Sequence, residues 1–408
     1  MRQAIYTDGS LVATADYLAA VAGPHTVTAK ANLYLAGVLV QSDVPVSSGR
    51  VRWNRNQAVR GQCTVTLPTL RVTTNVSAKG CEVELYRGVV RQGNQALPTP
   101  LQYLLDEDGN FITTDGGALV LISDETTLLG ETVNDDIMWV SEGVFAVQST
   151  DANDDAGDAV ITVEGDDLSR KISDAGLADA VVWTSATTLE AAIADLISAA
   201  VPYLTFLPTG DSHPAPNVTF ERGEDPWAII IDQAKAVGFE VWVDGFGVHW
   251  RPEPDLSLAD PVLGIVDGAG GAWVTGSVGE DRGPAFNEWP VIGSNADNAA
   301  EFYALAIDDD PDYAPDGPFG RKPAKPLRLD GVDSQAKADA AAAGRKNKER
   351  GVPRTISVKS WPVPILETGD AANLRRTVLG VDEVALVDEL SMGLLAEDEM
   401  TLTARTRR

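Results

Sequence analysis

The sequence predicts a β-rich α+β fold in which two barrel-like β domains flank a small α/β unit. Three observations carry that expectation. Residues 25–92 read as short alternating strands bounded by Gly, Pro or Ser, at the spacing of roughly ten residues typical of barrels and sandwiches. At residue 166 the pattern switches from a period of two to helical spacing, and it holds there to residue 255. From residue 256 the chain returns to glycine-rich β sequence. The expected organisation is an N-terminal arm over 1–24, a first β domain over 25–165 and an α/β unit over 166–255. A second β domain covers 256–408 and carries a helix near 334–348.

Within the first domain, HTVTAKANLYLAGVLV alternates and turns at Ala36-Gly37, and GRVRWNRN, GQCTVTLP and KGCEVELYRG follow as strands. Residues 93–157 read as an insertion or further hairpin layer, with DEDGN and TDGGA as turns and DANDDAGDA as an acidic turn before VITVEG. In the α/β unit, DDLSRKISDAGL is a short helix. TTLEAAIADLISAA then aligns Leu189, Ile193, Leu196 and Ile197 on one face, with Thr187 and Glu190 at capping-box spacing. A second helix has Pro226 at its start, Trp227, Ile230, Ile231, Ala234 and Val237 as its stripe, and Gly238 past its end. FEVWVDGFGVHWRPEP is a hairpin turning at Asp244-Gly245. Residues 306–329, rich in Pro and Asp, read as a long loop. An Ala-rich helix capped by Asp333 or Ser334 follows, then three closing strands in RTISVKSWPVP, RRTVLGVDEVALVDEL and EMTLTARTRR.

Composition narrows function. The 408 residues carry 32 Lys or Arg against 60 Asp or Glu, a net charge of −28. That field repels phosphate, so the chain is not expected to coat nucleic acid or anionic membrane. The N-terminus lacks the basic start and apolar run of a secretory signal. The best membrane candidate, Leu189 to Leu207, is broken by Glu190, Asp195 and Pro202, which argues against insertion. Charge is uneven: residues 321–359 hold 11 Lys or Arg and 4 Asp or Glu, a local +7 that leaves −35 for the rest. One reading is a solvated helix with cations at its C-terminus, where the macrodipole favours them. The other is a basic interface formed by Arg321, Lys322, Lys325, Arg345, Lys346, Lys348 and Arg350 against acidic surface on a neighbouring copy.

Catalytic patterns are scarce. GxSxG, HExxH and a Walker A loop are absent, and the Val266–Gly271 stretch lacks the strand–helix context of a dinucleotide fingerprint. The two cysteines, Cys63 and Cys81, are too few for a disulfide framework and read as reduced and buried in neighbouring strands. Asp151, Asn153 and Asp155 begin like a calcium loop, but Ala156 stands at its sixth position and Thr162 at its twelfth. Asp308, Asp309, Asp310 and Asp312 read as solvated loop. His249, between Val248 and Trp250, falls on the opposite face of its strand. The tryptophans, among them Trp53, Trp139, Trp227, Trp242, Trp250 and Trp361, read as core. No catalytic residue, cofactor or metal site is expected.

Several segments together resemble a known family. PWAIIIDQAKAVGFEVWVDGFGVHWRPEPD, approached through ITVEGDDLSRKISDAGL and TTLEAAI, resembles a recurrent helix–strand–turn–strand element of phage tail hub proteins. The C-terminal order is similar as well. An Ala-rich helix precedes TISVKSWP, then a GD step at Gly369-Asp370, then a closing strand ending TLTART. The order of segments carries the resemblance, to the central hub of siphophage tails and contractile baseplates.

The resemblance implies a structural protein of the virion tail tip. Three copies would form a ring that joins a sixfold tail tube to a threefold tip and conducts DNA. The implied partners are further copies of the chain, the distal tail protein ring, the C-terminus of the tape measure protein, and tip or receptor-binding proteins. A conduit should present acid to passing DNA. The candidates for a lumen lining are Asp106, Glu107, Asp108, Asp151, Asp154, Asp155, Asp308, Asp309 and Asp310, all expected in loops. The alternatives are a tail-associated cell-wall hydrolase and a carbohydrate-binding tail adhesin.

Overall fold

A computed structural model describes residues 2–6, 11–22, 25–69, 72, 76, 77, 79–91, 137–155, 158–210, 212–255, 260–268, 271–295, 298–350 and 354–406. Asp106, Glu107 and Asp108, with most of the segment read as an insertion, lie outside these residues.

The first β region contains β1 (Ala4–Tyr6), α1 (Thr14–Ala22), β2 (His25–Leu35), β3 (Val38–Pro45), β4 (Ser48–Asn54), β5 (Gly61–Pro68), β6 (Cys81–Arg91), β7 (Ile137–Asp155) and β8 (Asp158–Asp167). The α/β unit follows as α2 (Ser169–Ala175), β9 (Val181–Trp183), α3 (Leu189–Ala200), β10 (Thr205–Pro208), β11 (Val218–Phe220), α4 (Pro226–Ala236), β12 (Phe239–Asp244) and β13 (Gly247–Pro252). The second β region holds β14 (Leu263–Val266), β15 (Trp273–Glu280), β16 (Glu288–Asn295), β17 (Asn298–Ile307), β18 (Leu327–Leu329), α5 (Gln335–Glu349), β19 (Arg354–Ser360), β20 (Ala371–Arg376), β21 (Val381–Gly393) and β22 (Met400–Thr406). The fold is α+β and β-rich.

The two β regions share one 14-stranded sheet ordered β15-β19-β22-β21-β4-β5-β8-β7-β6-β2-β3, with β1, β14 and β20 attached beside that path. The junction is β4 against β21, where Trp53 faces Leu390 and Val51 faces Met392. Period-two burial explains the strands: in β5, Cys63, Val65 and Leu67 point inward while Gln62 and Thr64 face out. The first region's core gathers Leu33, Val65, Leu67, Val83, Leu85 and Phe145. The second gathers Ile356, Leu366, Leu374, Leu390 and Leu402. Residues 288–350 form an excursion between β15 and β19, which pair directly. There β17-β16-β18 form a small sheet backed by Ala338, Ala341 and Ala342 of α5.

Helices α2 to α5 form where the sequence places them, with local corrections, while α1 falls in the segment read only as an arm. Thr188 caps α3 by accepting from Ala191 N, one residue later than the expected Thr187. Glu190 instead accepts from the backbone N of His213 at 3.1 Å and meets its Nδ1 at 2.8 Å. Asp225 caps α4, accepting from Trp227 N and Ala228 N, and Ser334 caps α5. The β12–β13 turn is Gly245-Phe246 rather than Asp244-Gly245, with Gly245 at φ +57°. Val248 and Trp250 are buried, and His249 emerges on the other face to stack on Trp242 at 4.9 Å.

Three further expectations need correction. Asp151, Asp154 and Asp155 are not in a loop: β7 runs unbroken through Asp155, because the acidic run forms one arm of a long hairpin with β8. Trp361 is 56% exposed rather than core, since it lies just past the end of β19. Cys63 and Cys81 are free and buried, but β8 and β7 stand between their strands in the sheet.

Candidate functional site

The charged residues that matter most are buried where the parts of the chain meet. Arg55, in the connection from β4 to β5, is 1% exposed at its side chain. Its Nε donates to Glu240 Oε2 of β12 at 2.8 Å, and another of its nitrogens donates to Glu253 after β13. Its backbone N donates to Asp388 O of β21 at 2.9 Å, so this one residue ties both β regions to the α/β unit. Glu240 also accepts from Arg60 at 3.0 Å and from Arg251 at 2.8 Å. Burial opposes ionisation of Glu240, but Arg55, Arg60 and Arg251 outweigh it and hold its pKa well below the ordinary value. Burial likewise raises the Glu253 carboxyl, against the pull of Arg55.

Arg2 makes a second junction. Its Nη1 donates to the fully buried Glu142 of β7 at 2.6 Å, its Nε lies 3.8 Å from Glu367, and its backbone N donates to Ile365 O. The arm thereby reaches from the first β region to the second, and β1 also pairs with β7. Burial pushes Glu142 up to about 7 despite Arg2 and Arg87. A third contact joins the α/β unit to the first β region: Lys171 of α2 and Tyr203, after α3, both donate to buried Glu82 of β6.

Beside the Arg55 junction lies a cavity of about 410 Å³, walled by the β4–β5 connection, α4, β12 and α5. Close helix packing forms one side. A Cβ on Gly238, which follows α4 at φ +75°, would sit 2.5 Å from Ala340 O of α5, so only glycine fits there.

The acidic and basic candidates partly meet each other. Arg350 contacts Asp308 at 2.7 Å and Asp309 at 2.5 Å, and Lys346 reaches Asp309 at 3.2 Å. Those two cations hold the exposed Asp309 carboxyl down at about 2. Arg345 pairs with Glu349 at 2.9 Å and Arg321 with Glu288 at 2.8 Å. Lys322 bonds the carbonyls of Arg282 and Gly283, and Lys325 is exposed. Lys348 and Arg345 line the cavity. Asp310 accepts from Asp312 N, while Asp151 and Asp154 are exposed toward the tip of the β7–β8 hairpin. Sequence reasoning missed Arg2, Arg55, Arg60, Glu142 and Glu240, whose partners lie far away in the chain.

Among the described residues, the path of the long sheet ends at β3 and β15, while β1 and β14, attached beside it, each pair with one strand. On β3, Val38, Leu39 and Val40 are 65%, 50% and 40% exposed, and on β15 Val274 is 39% exposed. Among the described residues no group of three or more His, Cys, Asp or Glu is disposed to hold a metal. No described helix is long and apolar enough to cross a membrane.

No protein-family model and no curated protein sequence matches this chain. Solved structures do. A tail protein from Neisseria meningitidis MC58 superposes with a TM-score of 0.59 at 12% identity, covering 93% of this chain and 96% of that one. The 43 kDa tail protein of prophage MuSo2 from Shewanella oneidensis gives 0.54 at 12% identity, covering 94% and 98%. Prophage tail protein gp18 from Listeria monocytogenes EGD-e gives 0.51 at 10% identity, covering 93% and 95%. Identities this low speak for the fold, and the coverage is nearly complete in both directions: the chain has the fold of phage tail proteins.

Proposed function

We propose that this chain is a structural tail hub protein of a bacteriophage. Three copies close a ring at the distal end of the tail tube, join the sixfold tube to a threefold tip, and conduct DNA. The observation that carries the reading is the tail-protein fold over 93% of the chain, spanning both β regions and the α/β unit.

The sheet supplies a physical route to the ring. The two ends of its main path, β3 and β15, belong to different β regions, so pairing one copy's β3 with the next copy's β15 is a head-to-tail contact that can close by rotation. Exposed Val38, Leu39 and Val40 would be covered by that contact. In this reading the chain works at the virion tail tip. It meets a distal tail protein ring on one side, tip or receptor-binding proteins on the other, and the C-terminus of a tape measure protein in the bore.

The charge fits a conduit. A chain at −28 offers DNA few phosphate contacts, and salt screens wall repulsion over about 8 Å at physiological strength. Asp151 and Asp154 are the exposed candidates for the lining. Asp308, against expectation, is buried at 5% exposure and cannot line the bore, and Asp309 contributes less, since Lys346 and Arg350 neutralise it within the same chain. The role uses no catalytic group. Native mass measurement of the purified chain tests the reading: a threefold assembly is expected, and a twofold or sixfold one overturns it.

A further inference from the structure

The lining of the cavity beside Arg55 is electrically unbalanced. Its wall carries five cationic side chains and three carboxylates. Each carboxylate is already engaged: Glu240 by Arg55, Arg60 and Arg251, Glu253 by Arg55, and Glu349 by Arg345. Lys235 pairs with Asp232 at 2.9 Å, at the surface. What remains is Lys348. It projects from the last turn of α5, lines the cavity, and has no ion pair or hydrogen bond among the described residues. Burial lowers its pKa, and Arg60 and Arg55 lower it further against the pull of Glu253. A lysine in such a place gains from an anion that it can reach. The lining also includes the apolar side chains of Ile231 and Ala234 from α4, Leu327 from β18 and Ala341 from α5. A volume of about 410 Å³ suits a small organic molecule rather than a lone ion.

We propose that this cavity is a binding site for a small amphipathic oxyanion, with a carboxylate or phosphate head anchored by Lys348 and a short apolar body against α4, β18 and α5. The site is contained in one copy of the chain and does not depend on the ring. Its walls come from the first β region, the α/β unit and the excursion that carries α5, so an occupant braces all three and raises the melting temperature by mass action.

Hexanoate, hexyl phosphate and hexanol, titrated by calorimetry into the full-length protein, test the proposal. Both anions should bind saturably at millimolar concentration or below, with hexanol at least about tenfold weaker, the loss expected for a charge-assisted hydrogen bond. Lys348→Gln should weaken both anions by about the same factor, while Lys359→Gln, whose side chain pairs with Glu399 away from the cavity, should leave them unchanged. Equal binding of hexanol, unchanged binding by Lys348→Gln, or no saturable binding of either anion overturns the proposal. Should Lys348→Gln fail to fold, isotope-labelled lysine in the wild-type protein gives the answer by magnetic resonance. Anion binding should move the Lys348 side-chain signal and shift its titration to higher pH. A response confined to other lysines rejects the assignment.

Discussion

Replacing Arg55 by Met tests how the three parts of the chain are held together. The Arg55, Glu240 and Glu253 side chains are 1%, 3% and 5% exposed, so solvent cannot take over the lost contacts. Glu240 retains Arg60 at 3.0 Å and Arg251 at 2.8 Å. Glu253 retains no ion pair within 4 Å among the described residues and is left as a buried carboxylate with only the more distant charges of Lys348 and Arg405 to offset it. Breaking one partner out of a buried pair costs about 3–5 kcal/mol. Glu253→Gln alone should cost only about 1–2 kcal/mol, because Arg55 keeps Glu240 and the amide still offers an acceptor. In the double variant the stranded charge is gone, so the loss should fall short of the sum by at least about 1 kcal/mol. Urea unfolding of the four proteins at fixed pH and salt measures the cycle. Additivity within about 0.5 kcal/mol, or an Arg55→Met cost below about 1 kcal/mol, refutes the argument that Arg55 serves chiefly to neutralise Glu253.

Three other outcomes follow from the same structure. Burial raises Glu142 to about 7, so the stability it contributes is complete below its unfolded value of 4.5 and lost as pH rises through about 7. Melting temperature should therefore decline from pH 5 to 8, and Glu142→Gln should flatten that decline. A Cβ on Gly344 would lie 2.5 Å from Gly238 Cα, so Gly344→Ala should cost about 1–3 kcal/mol by overpacking, against the roughly 1 kcal/mol that alanine normally adds to a helix. Its urea midpoint should fall, and a rise would contradict the contact. Leu39→Lys, at an exposed edge position, should abolish ring formation while changing single-chain stability by less than about 0.5 kcal/mol, as compared by sedimentation and thermal melting.

What the sequence discloses is local. The Ser334 cap, Pro226 at a helix start and the Val248–His249–Trp250 alternation are contained within a few residues, and the structure keeps them. The cap at Thr188 moved by one residue, since two adjacent threonines offer the same oxygen and tertiary contacts choose between them. The acidic run at 151–155 looked like a loop because aspartate is a poor strand former, but partners on β8 hold it extended. The Arg55–Glu240 pair spans 185 positions and Arg2–Glu142 spans 140, and nothing in the intervening composition singles those residues out among 60 acids. The cavity is equally illegible, because it exists only where α5 returns against α4 and the β4–β5 connection.

The central claim is that this fold serves a threefold tail ring whose copies join through the two ends of the long sheet's main path. Imaging the assembled particle by electron microscopy, to a resolution that traces strands, tests it most directly. The account predicts three copies around one axis, β3 of each beside β15 of the next, and an axial channel whose electrostatic potential is negative. A monomer, a twofold or sixfold arrangement, or copies joined with β3 and β15 still open to solvent would contradict it.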